Sequence, residues 1–171
     1  MAKWPWIERQ FNFDYPPTKF PDVLARLRGT PARVEELVAG LGIEVLTGSD
    51  GQGWTIQQNI GHLHDCEVLW ERRFEQLLAG EPELCPADMS NARTRAANHN
   101  SREIGELLAT FRATRGRMVV QLEELSEADW ARTAHHPRLN QPIRLVDLVL
   151  FICEHDDYHL ARVRQLVQTL G

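Results

Sequence analysis

His155-Asp156-Asp157-Tyr158-His159 sets two imidazoles four residues apart. On a helix this spacing puts both side chains on one face, about 5 to 6 Å apart at Cβ, so they can converge on one metal ion. Leu145, Leu148, Val149, Ile152, Val163 and Leu166 recur around the pair with helical period. At about 100° per residue, His159 falls near the middle of that apolar stripe and His155 on its flank, so both point into the protein. Hydrogen-bonded core histidines would show the same spacing. A pair aimed inward with acids beside it is, however, the material from which helical bundles build metal sites.

The step also matches the His-x-x-x-His frame of zinc peptidases, with Asp156 where their glutamate base stands. Residues 160–171 contain no His, Asp, Glu or Cys, so a third ligand has to come from upstream. That disfavours the peptidase arrangement in which it follows the motif. The upstream donor is Gly61-His62-Leu63-His64-Asp65-Cys66-Glu67. His62 and His64 sit at opposite edges of their helix stripe, while Glu67 lies within it, as a ligand or as a buried acid with a partner. Periodicity leaves all three open. Asp156 shares the inward face and is the expected base or partner of a ligand; the competing reading is a surface salt bridge with Arg162.

These residues need helices to hold them. The first 20 residues are rich in rings and prolines (Trp4, Pro5, Trp6, Phe11, Phe13, Tyr15, Pro16, Pro17), which predicts an extended arm laid over apolar surface. Thr30 before Pro31 reads as an N-cap with proline at the first helical position, and Val34, Leu37, Val38 and Leu41 follow as a stripe. Asp22 to Arg28 reads as a separate helical piece. Thr55 with Gln58 matches a capping box, opening a second helix whose stripe runs Ile56, Ile60, Leu63, Trp70, Phe74, Leu77 to about Ala79. Residues 80–99 read as a long loop of the kind that often carries function. A third helix is expected from Asn100 or Ser101, with Glu103 as capping partner, through Leu107, Phe111, Met118 and Leu122. Ser126 to Pro142 reads as loop, and a fourth helix spans about Ile143 to Leu170. The sequence predicts an all-α, four-helix bundle in a single domain over residues 1–171.

The balance of 24 acidic against 19 basic residues, net −5, leans away from nucleic acid as partner. No run reaches the roughly 18 to 20 apolar residues of a membrane span, and the N-terminus lacks a signal-peptide pattern. Cys66, Cys85 and Cys153 are few and widely spaced, which fits a reduced, cytoplasmic compartment, with Cys66 and Cys153 as small core residues.

Gly53-Trp54-Thr55-Ile56, Gly61-His62-Leu63 and Glu154-His155-Asp156-Asp157-Tyr158-His159 together resemble the DinB-like family, with its YfiT-type metal-dependent hydrolases and thiol transferases. The likeness spans roughly Thr30 to Leu166. It implies an up-down-down-up four-helix bundle, commonly a homodimer, with a divalent metal held by His62, His155 and His159. His64 then falls outside the ligand set.

Three neutral imidazoles with an open fourth position suit zinc, and nickel, cobalt, iron and manganese are compatible by ligand type. The expected activity is metal-dependent transfer or hydrolysis on a small molecule, including low-molecular-weight thiols, with Asp156 as catalytic acid or base. It predicts an aromatic pocket walled by Trp70 and rimmed by residues 80–99. Asn91, Arg93, Asn98, His99 and Asn100 could donate to an anionic group, though such residues mostly form turns and caps. His135 and His136 read the same way. The alternative is a non-catalytic, metal-binding stress-response module whose ion is fully ligated.

Overall fold

The computed structural model describes residues 5–171, so Trp4 of the expected arm lies outside the described residues. Residues 5–19 run along the surface with two short turns, Trp6–Glu8 and Pro17–Lys19. Trp6, Phe11, Phe13 and Tyr15 pack against the core below.

Helix α1, Phe20–Val38, passes unbroken through Pro31, where the sequence predicted a start. A proline inside a helix removes one backbone N–H and normally breaks or kinks it. Here the carbonyl left without that partner, Leu27 O, accepts from Arg115 Nη1 at 3.3 Å. Thr30, expected as an N-cap, instead donates its hydroxyl to Asp156 Oδ2 at 2.7 Å. Tertiary partners thus replace what the local rule says is lost.

Helix α2, Ile43–Leu46, is a single turn, and helix α3 spans Ile56–Ala79. The capping box that opens α3 forms as expected, with Thr55 Oγ1 accepting from Gln58 N and Gln58 Oε1 from Thr55 N. Gly80 closes it with φ 74°, a left-handed conformation that costs glycine little. Helix α4, Ala92–Ala96, and the turn His99–Ser101 lie within the expected long loop and its end. Helix α5, Ile104–Glu123, starts later than Asn100 or Ser101, because Asn98 adopts φ 46° and a tight turn follows it. Helix α6 is Glu127–Trp130.

The segment expected as loop to Pro142 contains an antiparallel hairpin, β1 (Thr133–His136) with β2 (Gln141–Arg144), pairing Ala134 with Ile143. Each strand has four residues, too few to display an alternation that sequence reading can detect. Helix α7, Leu145–Leu170, follows directly.

Side-chain pairs give the helix directions. From α1 to α7 the partners rise together, Val23 with Cys153 and Arg33 with Asp157, so these two are parallel. Arg28 with Glu123 and Glu35 with Arg112 make α5 antiparallel to α1. Asn59 with His159 and His62 with His155 make α3 antiparallel to α7. The four long helices therefore form an up-down-down-up bundle. Among the described residues no helix is long and apolar enough to cross a membrane.

The core falls into two apolar clusters. One holds Leu27, Trp70, Leu77, Met118, Phe151 and Ile152, the other Val34, Ile60, Leu63, Phe111, Leu160 and Val163. The helix positions between them carry Thr30, His62, Glu67, Arg115, His155, Asp156 and His159, all buried. A polar layer therefore divides the bundle.

Candidate metal centre

The structure brings His62 of α3 together with His155 and His159 of α7, with one ligand atom from each within 4.8 Å of the others. The ring centroids are 5.3, 4.8 and 4.6 Å apart, and the three side chains are buried. His62 Nε2 and His155 Nε2 are separated by 3.3 Å. Two nitrogens bound at 2.0–2.1 Å to one tetrahedral ion would stand about 3.4 Å apart, so this pair already has a ligand-ligand spacing.

A nitrogen ligand must be unprotonated at the donor atom. Burial pushes the His62 imidazole down to about 4. Burial, then the neighbouring His62, Arg115 and Arg138, hold His155 well below the ordinary histidine value. Both rings are neutral at neutral pH.

Hydrogen bonds select which nitrogen faces the cluster. Asn59 Nδ2 donates to the carbonyls of Trp54 (3.2 Å) and Thr55 (2.8 Å), which turns its amide oxygen toward His159. His159 Nδ1 donates to that oxygen at 2.9 Å, and this tautomer carries its lone pair on Nε2. Thr94 Oγ1 lies 3.1 Å from His62 Nδ1 and fits the same role there. His155 Nδ1 is buried without a hydrogen-bond partner among the described residues.

Local sequence explains why α3 can host this. A Cβ at Gly61 would overlap the ring of His99. His99 packs there, its Nε2 2.8 Å from Asp65 Oδ2, and Gln57 Nε2 donates to the His99 carbonyl at 2.6 Å. These contacts dock the 91–103 segment on α3 and place Thr94 beside His62.

The other candidates separate. His64 is half-buried and outside the cluster. Glu67 is bound by Arg115, whose Nη2 donates to Oε1 at 2.6 Å. Asp156 accepts from Arg115 Nη1 at 2.6 Å and from Thr30 at 2.7 Å; Arg162, the partner considered from sequence, pairs with Asp50. The Asp156 carboxylate is thus committed within the bundle and does not line the cavity beside the histidines. Asn91 and Asn98 adopt left-handed turns, and Asn100 Oδ1 accepts from Thr55 Oγ1. Cys153 is a core residue, whereas Cys66 borders the cavity with Sγ 3.4 Å from His62 Nε2. Sequence reading missed Asn59 and Arg115. Both interrupt apolar stripes, Arg115 between Phe111 and Met118 and Asn59 between Ile56 and Ile60.

A cavity of about 560 Å³ opens on the histidines. Trp54 stacks over His159 at 6.1 Å and tilts against His62 at 4.6 Å, while Trp70 and Trp6 abut His155 at 5.6 and 5.2 Å. Residues Cys85 to Thr94 supply much of the rim. Aromatic walls around a few convergent polar groups are the usual make-up of a small-molecule site.

An up-down-down-up bundle with three inward histidines on its second and fourth long helices defines the class, and the match to the DinB superfamily over residues 26–163 places the chain in that family. The chain is 27% identical over 153 residues to the "Putative metal-dependent hydrolase YfiT" of Bacillus subtilis (strain 168), covering 85% of this chain and 82% of that protein. It is 26% identical over 117 residues to a "Putative metal-dependent hydrolase" of Bacillus pumilus (strain SAFR-032), 68% of this chain and 66% of that one. A solved structure of Bacillus subtilis YfiT, described as a probable metal-dependent hydrolase with an unusual four-helix bundle topology, superimposes with TM-score 0.80. That match is at 24% identity and covers 96% of this chain and 94% of that one.

Proposed function

We propose that this chain is a metal-dependent hydrolase of small molecules, with one divalent ion held by His62, His155 and His159. The 3.3 Å approach of two neutral, buried Nε2 atoms carries the reading, since it brings lone-pair donors together with a third imidazole beside them. Zinc suits three nitrogen donors best. The cavity at the histidines favours an open coordination position, and so catalysis over a purely structural ion. The names of the two Bacillus relatives point the same way.

When bound, such an ion supplies Lewis acidity, polarising a carbonyl and easing the ionisation of water at neutral pH. The protein's own part is positional. Asn59 holds His159 in one tautomer and orientation. Trp54, Trp70 and Trp6 exclude bulk water and offer faces to an apolar group. We assign Asp156 a positioning role: gripped by Arg115 and Thr30, it fixes the turn of α7 that carries His155 and His159.

The test is elemental analysis of protein purified without a histidine tag, followed by hydrolysis assays on esters and amides before and after chelation. One equivalent of metal is expected, absent from the His155→Ala, His159→Ala double variant, with hydrolysis lost on chelation and restored by the ion. A double variant that still holds one equivalent refutes the ligand set. Turnover that requires an added low-molecular-weight thiol would instead make the reaction a thiol transfer.

A further inference from the structure

The charges on the cavity wall do not balance. Arg162 pairs with Asp50 at 2.6 Å and Arg93 with Asp65 at 3.4 Å. Arg73 and Arg138, also on the wall, have no carboxylate within ion-pair distance among the described residues. The side chain of Arg73 is buried, with Nε and Nη2 donating to the Cys85 carbonyl at 3.1 and 2.9 Å and Nη1 3.0 Å from His136 Nε2. Arg138 is half-buried. Its Nη1 donates to the carbonyls of Trp6 and Ile7 at 3.3 and 3.1 Å, and its guanidinium lies over the rings of Trp6 and Phe151 at 5.3 and 5.2 Å. Its Nη2 has no hydrogen-bond partner.

Carbonyl oxygens and aromatic faces stabilise a guanidinium but carry no net charge. His136, whose ring centroid lies 5.1 Å from that of Phe151, cannot offset the charge. Of the acids on the wall, Asp65 is paired and Asp88 accepts from Ser90 and Ala92. One buried and one half-buried cation, neither with a counter-charge, are costly in an isolated protein. Trp6 links Arg138 to the histidines, its ring 5.3 Å from the guanidinium and 5.2 Å from the His155 ring, so this positive region adjoins the cluster.

We propose that the cavity binds its substrate through an anionic group, a carboxylate or phosphate-like group seated against Arg138 with Arg73 behind it. This rests on the hydrolase reading and adds the substrate class: small molecules with an anionic group at one end and the hydrolysed bond near the ion. A role for Arg138 in tethering the N-terminal arm uses Nη1 alone and explains neither the charge nor the unused Nη2.

Calorimetric titration with 3-phenylpropanoate, 2-phenylethylphosphonate and the neutral 3-phenylpropanamide tests this, on metal-loaded protein and again after chelation. The anions should bind at least about tenfold more tightly than the amide in both states. Arg138→Gln should erase that preference and Arg138→Lys should keep part of it, with thermal melting showing that both variants fold. The proposal is overturned if no ligand binds, if amide and anions bind alike, if the preference disappears on chelation, or if it survives in Arg138→Gln. Because the chelated arm needs no ion, a wrong ligand set would show in the metal analysis and leave this result standing.

Discussion

The middle of the bundle holds two clusters of buried polar side chains that share helices α3 and α7, the first also drawing on α1 and α5. In one, Glu67, Arg115 and Asp156 satisfy each other, with Thr30 and the Leu27 carbonyl completing the bonds. In the other, His62, His155 and His159 turn nitrogen atoms toward a common point and rest against a cavity. Their residues are neighbours in sequence, Asp156 following His155 directly. Burial alone does not separate them, since both clusters are nearly inaccessible. What separates them is what they face: the first cluster is bonded to its own members, while the second borders a cavity. A cluster turned on itself fixes the packing of helices, whereas ligand atoms gathered beside a cavity have the arrangement the proposed metal site requires.

The largest expected effect breaks the first cluster and spares the second. Arg115→Met leaves two carboxylates buried without their cation and removes the donor to Leu27 O beside Pro31. The loss of a partner from a buried ion cluster costs about 3–5 kcal/mol, which should appear as a large fall in Tm. Burial already pushes the Glu67 carboxyl up to about 7 against the pull of Arg115. A variant as stable as the parent would mean that this cluster does not hold the bundle together.

Proton binding should sharpen the contrast from the other side. His62 is pushed down to about 4 in the fold, against 6.5 for an ordinary histidine. Between these values the unfolded chain binds a proton that the folded chain refuses, so stability rises with pH across that window. Metal-free protein should therefore lose on the order of 2–3 kcal/mol as pH falls from about 6.5 toward about 4, read by denaturant titration at several pH values. His136, held at about 3 chiefly by burial, adds to the same trend. His62→Gln should flatten the slope. An unchanged slope would place the titration elsewhere.

Legibility in the sequence followed the range of the interactions. The spacing of His155 and His159 and the Thr55 capping box depend on residues within one or two turns, and both could be read directly. The choice of His62 over His64 could not, because both lie at stripe edges; it came from the likeness to a family, and in the structure His62 and not His64 stands in the cluster with His155 and His159. The ion pair of Asp156 could not be read, because its partner, Arg115, is 41 residues away on another helix. Arg115 left a trace all the same, as a lone charge in an apolar stripe. Pro31 misled for a related reason: its missing hydrogen bond is made good by that same arginine.

The smallest effect tests whether the histidines are tuned as ligands or merely packed as rings. Asn59→Ala removes the acceptor of His159 Nδ1–H while leaving all three imidazoles in place. Residues that orient a ligating histidine typically change metal affinity by about 10–100-fold when lost. Competition with a chromophoric chelator should show a loss in that range for Asn59→Ala and a smaller one for Thr94→Val, whose partner His62 is also held between Trp54 and α7. Part of any change in Asn59→Ala comes from the carbonyls of Trp54 and Thr55, which lose a donor. The melting temperature of the metal-free variant isolates that part. If the metal-free protein is destabilised and affinity stays at the parental value, Asn59 serves the helix start alone, and the histidine cluster resembles its neighbour more than its geometry implies.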